Sequence, residues 1–266
     1  MTNYVFMTKE MFVGHDAVVC VLPMSFSQQR LHLLSHAIDA GIKRFVFVEP
    51  GWFAHDRSCP SVGLRARLER WRMAPVLANE RRMVADLVYT VIETGICLDP
   101  GPQDTCLFDM KKKSARIYDG GTHPKLNMST CAHIAQAVAM ALHNPRMAYN
   151  HSLRIRSLAI TQSELLQRVQ AVTGTDGWSS NTVGLMDLTG SVAAELEVPE
   201  EADEPATGMG GGLSRLALLC NLMIWDDRMD SSDLFDDNHL LGIMADDGNY
   251  ISNVLRAYGI YLQVAT

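Results

Sequence analysis

Ala40-Gly41-Ile42-Lys43-Arg44-Phe45-Val46-Phe47-Val48-Glu49-Pro50-Gly51 is the stretch on which the fold turns. Residues 44–49 carry an unbroken apolar run, Phe45 to Val48, closed by Pro50-Gly51. A run this short, apolar on both alternating faces, fits a strand buried on both sides in a parallel sheet. Upstream, residues 28–40 place Leu31, Leu34, Ala37 and Ile38 at helical spacing, and Gly41 is placed to end that helix. Residues 16–22, Asp-Ala-Val-Val-Cys-Val-Leu, form a second apolar run before it. Strand, helix and strand within about 30 residues make a β-α-β unit, whose strands are parallel and whose crossover is right-handed.

The alternation continues downstream. Residues 62–86 read as a helix broken or kinked near Pro75. Val88 to Glu93 reads as a third strand, ended by Thr94-Gly95. Residues 130–142 form a strongly apolar helix with Thr130 as N-cap and Asn144-Pro145 as its stop. Residues 153–158 read as another strand. Thr161 and Glu164 then stand at capping-box spacing and open a helix that Gly174 ends. The tail differs. Residues 197–206 are acidic and proline-containing and read as a loop, Gly208 to Gly212 as a flexible linker, and residues 213–225 as an apolar helix. Alternating strands and helices imply an α/β fold built on a doubly wound parallel sheet.

The 266 residues, 47% hydrophobic and 20% charged, suffice for one large α/β domain or a domain with a lobe. A net charge of −7 argues against nucleic acid or an anionic membrane as partner, since both require a basic surface. No apolar run approaches the ~20 residues of a membrane span, and Met1-Thr2-Asn3-Tyr4 opens no signal peptide. A cytoplasmic protein is expected. Six cysteines, at 20, 59, 97, 106, 131 and 220, include no C-x-x-C pair and read as reduced thiols. Cys20 and Cys97 lie in apolar runs as small hydrophobes.

No metal site is expected: the histidine spacings suggest none, and the aspartates at 226, 227, 230, 233, 236 and 237 lack the order of a calcium loop and read as a solvated connector. His55 with Asp56, and His123, read as surface groups ahead of acid–base catalysts, and His133 as a packing residue on its helix. Lys111-Lys112-Lys113 reads as a solvated turn.

The order of these segments resembles the NmrA-like, isoflavone-reductase-like branch of the atypical short-chain dehydrogenases. Gly14-His15-Asp16-Ala17-Val18-Val19-Cys20 is similar to the family's "G-x-D-x-V-I-x" entry to its fourth strand. Residues 40–51 resemble its "A-G-V-K-R-F-I-P-S-E-F-G" segment, and Tyr118-Asp119-Gly120-Gly121 its "Y-G-D-G" turn. Ile134 to Pro145, Asn150 to Glu164 and Phe235 to Gly242 resemble three later motifs, in the family's order. The resemblance implies a Rossmann-like NAD(P)-binding domain over residues 1–160 and a mainly helical substrate lobe over residues 161–266. It also implies NADPH as cofactor and a small aromatic or polyketide-like substrate of secondary metabolism.

At strand carboxyl ends, where parallel sheets bind ligands, the resemblance assigns Leu22, Pro23, Met24, Glu49, Pro50 and Gly51 to the cofactor. It assigns Trp52, Phe53, Thr94 and Gly95 to the substrate wall.

Two features depart from the pattern. The family opens with a strand, a G-x-x-G-x-x-G loop and a helix that receives the pyrophosphate; nothing before residue 14 supplies them, so the chain reads as N-terminally truncated relative to the family. The family lysine of the reductases aligns with Leu77, and no lysine occurs between Lys43 and Lys111. Leucine moves no proton, so the catalytic residue stays unassigned. Without the family's first strand, the strand at 16–22 becomes an apolar edge that residues 3–7 or a homodimer contact could cover. Three readings stay open: a reductase, a non-catalytic NmrA-type binding or regulatory protein, and an inactive truncated paralogue.

Overall fold

The computed structural model describes residues 7–22, 26–49, 73, 76–77, 79–80, 86–99, 108–109, 112–122, 124–184, 237–245 and 253. Strand β1 (Ala17–Cys20), helix α1 (Ser27–Asp39) and strand β2 (Arg44–Glu49) form the expected unit, with β1 and β2 parallel. Strand β3 (Val88–Glu93) pairs in parallel with β2 from Arg44↔Val88 to Glu49↔Glu93. Strand β8 (His151–Arg154) closes a four-stranded sheet of order β1-β2-β3-β8. Both central strands are buried at five of six positions, which is why their sequences are apolar runs and not alternating ones.

Two further small sheets stand beside the main one. Strand β4 (Ile96–Cys97) pairs with β7 (Leu126–Ser129), which pairs antiparallel with β9 (Leu158–Ile160). Strand β6 (Ser114–Tyr118) lies between β5 (Phe108–Asp109) and β10 (Ser179–Val183). None of β4, β5, β6, β7 and β10 stands out as an apolar run. The single strand expected at 153–158 is two strands in two sheets. The chain leaves β8 at Arg154, and Ser157 N–H donates to Met128 O of β7.

The core has two halves, one on each face of the main sheet. On one face, Leu33, Leu34 and Ala37 of α1 pack with Phe45, Phe47, Val91, Met73 and Leu77. On the other, helix α2 (Cys131–His143) lays Ala137 and Ala141 against Val46, Ile92 and Leu153. Two alanines with no accessible surface let that helix sit close to the strands. Thr130 caps it as expected, its hydroxyl accepting from His133 N–H at 3.2 Å. Pro145 does end α2, and it also opens the short helix α3 (Pro145–Ala148), a position suited to its fixed φ.

The buried face of α1 differs from the expected one by a one-residue rotation. Arg30, Leu33, Leu34 and Ala37 point inward at i, i+3, i+4, i+7, while Leu31 is exposed. An arginine turned into the core, to meet a buried glutamate, rotates the helix away from the purely apolar choice. Helix α4 (Gln162–Thr173) starts at the full Thr161/Glu164 capping box. The hydrogen bonds to Thr161 hold the Glu164 carboxyl below its ordinary range.

Candidate functional site

The carboxyl ends of β1, β2 and β3 form one rim of the main sheet, and four of the expected ligand contacts are described there. Leu22 lies two residues beyond β1 and is half-buried. Glu49 and Glu93 end β2 and β3 in register. Thr94 and Gly95 follow at once, so Leu22, Glu49, Thr94 and Gly95 all stand at strand carboxyl ends. Pro23, Met24, Pro50, Gly51, Trp52 and Phe53 lie outside the described residues, as do His55, Asp56 and His123.

Glu49 is 2% exposed, and its Oε1 accepts from Arg30 Nη2 at 2.7 Å and from Met73 N–H at 2.8 Å. The Arg30 guanidinium, with no exposed surface, also stands 5.5 Å from the centre of the Phe47 ring. Burial pushes the Glu49 carboxyl up, and the charge of Arg30 opposes this without cancelling it. Even the main-chain carbonyl of Glu49 is engaged, accepting from Thr94 N–H at 3.0 Å. Glu49 thus joins α1, β2, the Met73 segment and the end of β3. It fixes the rim's shape from beneath.

Glu93 mirrors this arrangement one strand over. Its Oε2 accepts from Arg154 Nε at 3.2 Å, with Glu93 6% exposed in its side chain. Two carboxylates on neighbouring strands each have a guanidinium partner.

Thr94 is 1% exposed and its hydroxyl donates within the rim, to Gly95 O at 3.1 Å. Gly95 has φ +64, and a Cβ there would stand 2.2 Å from Asn127 O. Only glycine allows the chain to turn this tightly from β3 into β4 while touching β7. Leu77, which the resemblance aligns with the family lysine, has no accessible surface and packs beside Met73 and Leu87 in the α1-side core.

Other singled-out residues find structural roles. His133 is 6% exposed, with Nε2 3.3 Å from Asn238 Oδ1. Asp237, the one described member of the acidic group, is more than a solvated connector: its Oδ2 accepts from Arg154 N–H at 2.8 Å. Lys113 likewise departs from a purely solvated turn, its Nζ donating to Thr173 O and Asp176 O. Sequence reading gave no structural role to Asn238 of the Phe235 to Gly242 motif, which is 7% exposed and hydrogen-bonds both Arg156 N–H and Arg156 O. It also missed Arg30, whose burial no apolar pattern announces. Among the described residues no helix is long and apolar enough to cross a membrane.

No protein-family model matches the chain. The oxidoreductase poxI of Penicillium oxalicum is 32% identical over 165 residues, covering 60% of this chain and 51% of that protein. The chain spans about half the length of the curated relatives it matches. Among solved structures, an isoflavone reductase aligns with a TM-score of 0.53 at 16% identity, over 84% of this chain and 67% of that one. The leucoanthocyanidin reductase of Vitis vinifera, solved as a binary complex with NADPH, aligns with a TM-score of 0.53 at 13% identity, over 92% of this chain and 75% of that one.

Proposed function

We propose that this chain, isoflavone-reductase-like in fold and related in sequence to a curated oxidoreductase, is an NADPH-dependent reductase of a small aromatic or polyketide-like carbonyl compound, working in the cytoplasm. The observation that carries the reading is the parallel order β1-β2-β3-β8, with strand number rising steadily away from β1 and no reversal among the described strands. Doubly wound sheets take nucleotides outside the strand carboxyl ends, where strand order reverses. In this reading the cofactor crevice lies along the rim of strand carboxyl ends, beside β1 and against Leu22, Pro23 and Met24.

In this reading the nicotinamide lies over residues 49–51. Glu49 positions the turn through Arg30 and Thr94, its carboxylate being already engaged, and Pro50-Gly51 supply the contact surface. Trp52, Phe53, Thr94 and Gly95 form the substrate wall. NADPH supplies the hydride; the chain orients it and excludes water. Residues 1–160 act as the cofactor domain and residues 161–266 as the substrate lobe.

A second reading is favoured by one observation. Leu77 is buried in the core where the family has its lysine, so the chain could bind a dinucleotide without turning it over, as a regulatory protein would. Calorimetry of NADPH with the purified 266-residue protein, alongside thermal unfolding, tests the shared premise. Binding to the native state raises the unfolding temperature. Micromolar binding with oxidation of NADPH by aromatic carbonyl compounds supports the reductase, and binding without turnover supports the regulator. A cooperatively folded protein that binds neither NADPH nor NADH overturns both.

A further inference from the structure

Cys97 ends β4, and Cys131 is the first residue of α2. They are 34 residues apart in sequence, yet their sulfurs are 3.6 Å apart. The pairing of β4 with β7 causes this: Cys97 lies opposite Ser129, and Thr130 then turns the chain into the helix. Asp99 completes the group. One carboxylate oxygen and two sulfurs, the ligand atoms of these three residues, lie within 4.8 Å of one another. Asp99 Oδ2 also accepts from Cys131 N–H, which ties the carboxylate to the start of the helix. Cys131 is exposed, and Cys97 and Asp99 are half-buried, so the cluster is open to solvent.

We propose that Cys97, Asp99 and Cys131 form a binding site for a zinc-class divalent cation, with solvent as the fourth ligand. Two thiolates bound at about 2.3 Å to a tetrahedral zinc stand about 3.8 Å apart, close to the separation found here. A disulfide requires the sulfurs to close to about 2.0 Å. Cysteine sulfur and carboxylate oxygen are both zinc ligands, and two sulfurs favour a softer cation than magnesium or calcium. Burial pushes the Cys97 thiol up to about 12, and the Cys131 thiol is also raised. A thiol binds zinc as the thiolate, so binding and proton release are coupled. Binding is balanced as one divalent cation entering and two thiol protons leaving to solvent.

Sequence reading passes over this group because no two of its members form a C-x-x-C pair. The site is independent of the nucleotide proposal, and its test does not use activity. The full chain, reduced and stripped with a chelator, is titrated with Co2+. The expected result is one equivalent of Co2+ giving a sulfur-to-metal charge-transfer band, displaced by Zn2+. C97S and C131S should abolish the band, and D99N should weaken binding while keeping an oxygen to cap Cys131 N–H. Bound Zn2+ should also protect Cys97 and Cys131 of the wild-type chain from alkylation, a readout that needs no variant to fold. Absence of the band from the reduced folded protein, its survival in a C97S/C131S double variant, or alkylation of both cysteines at an unchanged rate with Zn2+ overturns the proposal. A Cys97–Cys131 disulfide forming in air, with no Co2+ bound under reductant, overturns it in favour of a redox pair.

Discussion

At the end of β8, Asp237 takes the Arg154 N–H with its carboxylate and returns its own N–H to Arg154 O; two residues past the strand, the Asn238 side chain accepts from Arg156 N–H and donates to Arg156 O. Along β1, at the opposite side of the same sheet, no strand follows among the described residues, and Val19 and Val21 are 40% and 64% exposed. One edge is closed by polar groups borrowed from a segment 83 residues away. The other carries apolar side chains and, among the described residues, no neighbouring strand. A finished edge is fixed by side-chain hydrogen bonds that match the strand's own spacing; an apolar edge calls for another strand or another copy of the chain. The contrast also bears on function, because the open edge is the one beside which the cofactor crevice is proposed.

The largest effect is expected beneath the open edge. R30M leaves Glu49 buried and without its cation, and breaking such a pair costs about 3–5 kcal/mol. Urea denaturation followed by circular dichroism measures it; a loss under 1 kcal/mol would show that Glu49 reaches solvent and that the rim is looser than its burial implies. At the closed edge, N238A removes bonds to Arg156 and to His133, and an expected loss of about 2–3 kcal/mol follows from the buried groups left unsatisfied. Hydrogen exchange should then open at Arg154 and Arg156 first. A uniform loss of protection would mean that the edge is not a separate unit. The smallest effect belongs to V19K/V21K, with a stability change within about 0.5 kcal/mol but less self-association in sedimentation velocity. A large destabilisation by these lysines would show that something already covers β1, and the two edges would then be alike.

Much of the central sheet was legible in sequence for a physical reason. Residues 44–49 and 88–93 are buried on both faces, so their apolar runs announce them, and the caps at Thr130 and Thr161 mark their helices through local hydrogen bonds. Strands such as β6 and β10 escaped because they are short and partly exposed. Ser179 to Val183 carries only a half-buried valine among exposed polar residues. The rotation of α1 escaped because a buried arginine carries no apolar signature. At the candidate site, the strand ends were legible from the order of motifs. The engagement of Glu49 by Arg30 and of Arg154 by Asp237 depends on contacts across 19 and 83 residues, which no local pattern records.

The Asp237 clamp has a consequence during synthesis. A ribosome adding about 5–20 residues per second needs roughly 4–17 s to move from Arg154 to Asp237, the 83 residues between them. The same delay separates their emergence from the tunnel, so for that time β8 is outside while the segment that closes its edge is not. The nascent chain therefore carries a bare edge at β8 that the finished protein does not, and it is most open to mispairing with neighbouring chains on the same messenger. Slower translation upstream of residue 237 lengthens that exposure, so codon choice in the stretch after β8 bears on yield without altering a single contact of the native state.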